Sequence, residues 1–102
     1  MASVFYVDDT GILFEAILQE DGLAINIAAA TTRQLWFRRP DGHVMKKTAP
    51  LSTDGTDGKM RYTTVANDLT YAGEWQWQPY VVLPASTFHG AIQMFTVLRN
   101  LA

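Results

Sequence analysis

The chain has 102 residues, a formal net charge of −2, 48% apolar residues and no cysteine. That length is the length of one domain, 1–102, whose core closes over roughly two-thirds of the surface the unfolded chain exposes. Without cysteine there is no disulfide framework, thiolate zinc site or cysteine nucleophile, and no apolar run reaches the roughly 20 residues of a spanning helix.

The N-terminus lacks a basic segment and turns acidic at Asp8 and Asp9, so no secretory signal is expected, and synthesis in the cytoplasm is. Residues 1–8, with Phe5 and Tyr6, read as an N-terminal arm able to pair with a neighbour's sheet edge. From Ile12 to Glu20 a strand is predicted that sends Phe14, Ala16 and Leu18 inward and Glu15 and Gln19 outward, with Ile17 also facing out. In the next strand Leu35 and Phe37 share one face, and Gln34, Trp36 and Arg38 share the other. The segment Arg38-Arg-Pro40-Asp-Gly42-His-Val44 predicts a hairpin connection, because proline pre-sets the first turn residue and glycine accepts the positive φ that closes it. Val44 to Thr48 is the returning strand, and residues 49–59 are the most loop-like stretch.

Further along, Met60 and Tyr62 alternate with Arg61 and Thr63. Residues 66–72 read as one short helical turn stopped by Gly73. The alternation is cleanest in Glu74-Trp-Gln-Trp-Gln78, where one register slip would put both indoles in water. Residues 83–90 form a second predicted loop. The last strand, Ala91 to Leu98, is apolar on both faces, with Phe95 and Val97 on one and Ile92, Met94 and Leu98 on the other. Such a strand is either central and covered or meets another chain. The predicted core is Phe14, Leu18, Leu35, Phe37, Tyr62, Trp75, Trp77, Phe95 and Val97. Short β-rich runs between regular turn signals predict an all-β antiparallel sandwich or barrel, rather than a helical bundle, of roughly seven to eight strands.

Charge is unevenly placed. Residues 1–21 hold five acids and no base, whereas residues 33–47 hold five bases against Asp41 alone. Either these are solvated strand faces, or copies of the chain meet acidic edge to basic face. The slightly acidic balance argues against a nucleic-acid partner.

Catalytic chemistry has little to work with. His43 sits beside the hairpin glycine and His89 in the second loop, both as surface turn residues, and Ser3, Ser52 and Ser86 lack a nucleophile-elbow context. Asp8 and Asp9 would need a third converging group to act as a pair. Asp54 and Asp57 with Gly55 and Gly58 bring calcium to mind, but the spacing and closing glutamate of an EF-hand are missing, so turn chemistry is expected. No catalytic residue, cofactor or metal ligand is assigned.

Exposed aromatics are the better functional signal. Trp36, flanked by Arg33, Arg38 and Arg39, has the composition of an interface hot spot, and its alternative is a second layer of the core. Tyr80, Phe88 and Met94 join Phe5 and Tyr6 as further interface candidates.

The order Asp9-Thr-Gly11, Asp21-Gly22, Ala30-Thr-Thr32, Phe37-Arg-Arg-Pro-Asp-Gly42, Thr53 to Lys59, Arg61-Tyr-Thr-Thr64, Asp68-Leu69, Ala72-Gly-Glu-Trp75 and Phe95-Thr-Val97 resembles small virion domains of tailed bacteriophages. They are similar to the N-terminal immunoglobulin-like domain of the baseplate upper protein family. The resemblance spans about residues 9–98 and departs from the family at Asn26-Ile-Ala-Ala29, where members often carry an Asp-Leu-Ser-Gly type of turn. It implies an immunoglobulin-like sandwich and a non-enzymatic, multi-copy subunit of tail, baseplate or neck, located in the virion. Its partners would be other virion proteins and copies of itself, with no nucleic acid and no membrane. The alternatives are a capsid decoration (cement) protein and a small carbohydrate-binding module stacking sugars on Trp36, Tyr80 and Phe88.

Overall fold

Strict apolar–polar alternation in Glu74–Gln78 and Gln34–Arg38 gives each segment one face that only a second layer can cover, and the structure provides that layer. The structure is a computed structural model that describes residues 3–101. Its described residues form ten strands and no α-helix: β1 (Ser3–Tyr6), β2 (Leu13–Ile17), β3 (Gln19–Glu20), β4 (Leu23–Ala24), β5 (Thr32–Arg38), β6 (Val44–Thr48), β7 (Lys59–Thr63), β8 (Gly73–Leu83), β9 (Ser86–His89) and β10 (Gln93–Leu98). The main sheet runs β1-β10-β8-β5-β6, and β9 pairs with the second half of β8. Opposite it lies the β2–β7 pair, while β3 and β4 form a separate small hairpin. The main sheet packed on the β2–β7 pair makes an all-β sandwich, the layered fold expected from the alternation.

The inner face of the main sheet is set by register. Phe37 pairs with Trp77 and Phe95 with Trp75, so these rings converge on one layer. Phe14 descends on them from β2, with ring centroids 5.1 Å from Phe37, 5.4 Å from Trp77 and 5.1 Å from Phe95. All nine residues predicted for the core pack there, Tyr62 partly buried and the others buried. Ala16, Ile27, Ala49, Met60, Leu69 and Val81 complete the core. The Trp75 indole donates from Nε1 to the carbonyl oxygen of Tyr71 at 3.0 Å, tying the entry of β8 to the loop before it as a tyrosine corner does.

Four expectations are corrected. The helical turn at 66–72 is absent: Asn67 has φ +72°, which a right-handed helix cannot accommodate, and Asp68 folds back to accept the Val65 N–H. The second predicted loop contains β9, because Leu83 and Ser86 pair across a two-residue Pro84-Ala85 turn. The described part of the N-terminal arm is not free. Ser3–Tyr6 lies parallel to β10 of its own chain, and Phe5 meets Phe14 and Phe95 edge-on; residues 1 and 2 lie outside the described residues. The predicted strand from Ile12 to Glu20 breaks at Leu18, whose N–H donates to Gly58 and whose carbonyl accepts from Ile25, so Gln19 and Glu20 leave the layer as β3.

Candidate binding face

The outer face of the main sheet is built by the same registers read from the other side. Trp36 lies opposite Gln78 on β8 and Lys46 on β6; Gln34 lies opposite Tyr80, and Tyr80 opposite His89. These pairings gather four side chains into one cluster. The Trp36 and Tyr80 rings stack at 4.5 Å, and the His89 ring lies 5.5 Å from Trp36 and 5.0 Å from Tyr80. The Lys46 ammonium sits 4.8 Å from the Trp36 ring centroid, within cation–π range. Trp36 Nε1 donates to Gln34 Oε1 at 2.9 Å, and Gln78 Nε2 donates to the Gly90 carbonyl at 3.0 Å, so the Trp36 indole and the Gln78 amide are held.

Beside the cluster lies a shallow cavity of about 180 Å³ lined by Trp36, Arg38, Val44, Gln76, Gln78 and Ile92. A second, of about 320 Å³, is lined by Arg38, Arg39, Pro40, Glu74, Gln76 and Met94 among others. They share Arg38 and Gln76, so they adjoin there as two neighbouring parts of the grooved surface beside the β5–β6 hairpin. Its walls leave Ile92 61% and Met94 47% exposed, and Val4, Tyr6 and Leu98 extend the apolar surface across β10 and β1. Contiguous apolar surface of this kind marks an interaction site more often than scattered single residues do.

The interface candidates separate cleanly. Trp36, Tyr80, Arg38, Met94 and Tyr6 lie on this outer face. Trp36 is neither wholly free nor a second core layer: it is half-buried by its own neighbours on an otherwise open face. Phe5 and Phe88 are removed from the set, because both pack against the core from the inner side, Phe88 opposite Val81. Arg33 is removed as well. It shares the inward parity of Leu35, and its guanidinium donates to the carbonyls of Ala30 (3.2 Å) and Ala49 (3.3 Å), a structural role. Arg39 lies at the end of the groove, but its fork is taken by Asp41 (3.1 and 2.8 Å), and its guanidinium sits 4.4 Å over the Tyr71 ring.

Sequence reasoning missed His89, Lys46, Gln34 and Ile92. The first two carried a signal: counting outward from the Pro40-Asp41-Gly42 turn sets Trp36 against Lys46, and the same count from Pro84-Ala85 sets Tyr80 against His89.

Elsewhere the acidic groups serve the fold. Asp54 accepts from the Thr56 hydroxyl and N–H, and Asp57 from Thr53 and the Lys59 N–H, and these bonds hold both carboxyls below the usual carboxylate range. They are the turn chemistry expected of that loop. Among the described residues no group of three or more His, Asp or Glu converges as a metal site, and no helix is long and apolar enough to cross a membrane. Asp68 is the one buried acid among the described residues. Burial alone would push its carboxyl up, but hydrogen bonds from Tyr62, the Val65 N–H and Lys47 outweigh that and hold it below the usual range. Burial and the bond to Asp68 together push the Tyr62 hydroxyl well above its usual value.

Compared with known proteins, the chain matches no family model and no curated relative.

Proposed function

We propose that the chain is a non-enzymatic structural subunit of a tailed-bacteriophage particle, of tail, baseplate or neck, which docks the outer face of its main sheet onto neighbouring subunits. The observation that carries this reading is the exposed apolar surface on both flanks of that face. Trp36 and Val44 lie on β5 and β6, and Ile92, Met94, Leu98 and Tyr6 lie on or beside β10 and β1, with the polar row Glu74, Gln76 and Gln78 of β8 between them and Arg38 and Lys46 on the β5–β6 side. A tryptophan among arginine and lysine, surrounded by exposed aliphatic side chains, is the composition of an interface centre. The resemblance to small phage virion domains gives the setting, and repetition of a weak contact in a symmetric particle gives it strength.

The Trp36–Tyr80–His89 cluster with Gln78 favours one second reading, a glycan-binding module, since aromatic rings beside amide donors suit a sugar. Against it, Trp36 and Tyr80 stack on each other, and Phe88, the third aromatic of that reading, faces the core. The test is to purify particles on a density gradient and probe for the chain, wild type and Trp36→Asp. Co-migration of the wild type and loss of the variant, both folded by circular dichroism, supports docking. Absence of the wild-type chain from particles overturns it, and binding to a glycan array without any partner protein transfers the face to the second reading.

A further inference from the structure

The β3–β4 hairpin is the least explained part of the fold. All six residues from Gln19 to Ala24 are exposed, and β3 and β4 pair only with each other. Its tip is well formed: Asp21 at φ +53° and Gly22 at φ +80° are the two consecutive positive-φ residues that a tight two-residue hairpin turn requires. It is therefore a projecting tongue that contributes nothing to the core. On one face of it Glu20 and Leu23 stand directly opposite each other, and Leu23 is 74% exposed. An aliphatic side chain held at that exposure beside an acid, next to a second acid at the tip, is a knob with a charged collar.

The tongue is rooted beside the second half of β8, and the groove lies over its first half and middle. Extended strand rises about 3.3 Å per residue, so the 11 residues of β8 span about 36 Å and run along the 48 Å axis rather than across the 23 or 22 Å ones. Leu18, which leads into the tongue, lies against Gly90, and Gly90 lies against Pro79 in the second half of β8. Arg38 pairs with Gln76 in the first half, and Pro40 packs on Gly73, where β8 begins.

The charges match. Among the described residues neither Glu20 nor Asp21 is in an ion pair, and neither is Arg38 nor Lys46. The other charged groups of the groove are Glu74 at its far end and Arg39, which is already paired to Asp41.

We propose that the Gln19–Ala24 tongue of one copy seats in the Trp36–Val44–Ile92 groove of the next, Leu23 filling the apolar cavity and Glu20 and Asp21 facing Arg38 and Lys46. The contact joins two different surfaces, so copies either exchange tongues reciprocally as a two-fold dimer or pass them on head-to-tail as a ring or a file. This deepens the docking function proposed above by naming a second copy of this chain as the partner.

The test uses the full chain and two charge-reversed variants, Glu20→Lys with Asp21→Asn, and Arg38→Glu with Lys46→Glu. All four positions are exposed, asparagine keeps the left-handed turn, and circular dichroism checks each fold. By sedimentation, the wild type assembles beyond the 11.4 kDa monomer as concentration rises. Each variant alone stays monomeric, the half-assembly concentration rising roughly thirtyfold or more. Mixed in equal amounts, the two variants assemble again, because each reversed surface meets its complement. A wild type that stays monomeric, variants that assemble unchanged, or a mixture that fails to recover overturns the proposal. The two inferences fail separately: a monomeric chain that still enters particles through Trp36 overturns only the tongue contact, and an oligomer absent from particles overturns only the virion role.

Discussion

Replacing Asp68 with alanine is expected to destabilise the fold by about 3 kcal/mol, although Asp68 touches neither the groove nor the tongue. Asp68 is 3% exposed, and its carboxylate accepts from the Tyr62 hydroxyl at 2.5 Å, the Val65 N–H at 2.9 Å and the Lys47 ammonium at 3.1 Å. A hydrogen bond to a charged group contributes about 1.5–3 kcal/mol, and most of that is lost when the surviving partner is left without water. Val65 is 56% exposed and the Lys47 side chain 31%, so water can replace the carboxylate for both. Tyr62 is partly buried, and its hydroxyl makes no other side-chain hydrogen bond among the described residues. One bond lost nearly in full and two lost in part sum to about 3 kcal/mol, against about 1 kcal/mol or less for Lys47→Met, which removes only the partly exposed ion pair. For a domain of this size that is a fall in Tm of about 12–24 °C.

Urea unfolding followed by tryptophan fluorescence reads the loss, because Trp75 and Trp77 are buried; the midpoint is expected to fall by about 1–3 M. The decisive measurement is the double-mutant cycle of Tyr62→Phe with Asp68→Asn. Coupling of about 1 kcal/mol or more is expected, and additivity within about 0.5 kcal/mol would refute the reasoning, since the pair would then act as two independent surface groups.

The same group sets the acid limit of stability. Its folded pKa is below the unfolded value of about 3.9, so its contribution is full above that pH and is lost as pH falls through the folded value. Stability measured between pH 6 and pH 2 should fall less steeply in Asp68→Asn than in the wild type. Trp75→Phe keeps most of the apolar volume but loses the Nε1 bond to Tyr71, for about 1–2 kcal/mol, whereas Trp75→Ala should cost about 3–5 kcal/mol; an unchanged melting point for the alanine variant would contradict its place in the core. Gly42 and Gly55 have nearly equal φ, +90° and +89°, but a Cβ at Gly42 meets nothing within 4 Å, and one at Gly55 meets the Ala28 backbone at 2.8 Å. Gly42→Ala should therefore cost about 1 kcal/mol from the dihedral alone and Gly55→Ala about 2–4 kcal/mol, a difference that paired thermal melts resolve.

What was legible in the sequence was what a period of two controls. Trp75 and Trp77 against Gln76 and Gln78, or Leu35 and Phe37 against Trp36, fix the faces before any pairing is known, and all of these fell where alternation put them. What alternation does not carry is which strands become neighbours. Phe88 and Phe5 looked available for contact because each is an aromatic beside predicted loop or terminal sequence, and only the β8–β9 and β1–β10 pairings turn them inward. Arg33 misled for a related reason: its charge suggested the outer face, but parity with Leu35 points it inward, where two backbone carbonyls supply the acceptors it needs. The binding face was half legible, as Trp36 and Tyr80 with neighbouring bases, and its cluster geometry needed three cross-strand registers at once.

The pattern also breaks in one place, and where it breaks supports a docked face over an edge contact. β8 alternates without exception from Trp75 to Val81, whereas β10 and β1 place Met94, Leu98, Val4 and Tyr6 on the outward parity. If these were incidental they would be scattered; β1 and β10 are neighbours, so they form one stripe that joins Ile92 and the Trp36 groove. Departures from consistent patterning that cluster in space are where a fold gives up stability for function. The sheet edges argue the same way. β6, an open edge, carries Lys46 and Lys47 in sequence, the kind of charge that discourages strand-to-strand pairing. Under the proposed docking, a neighbour that adds no strand at β6 meets, one strand further in, the apolar cavity beside Trp36 with Arg38 in its wall, a surface suited to a knob rather than to an edge.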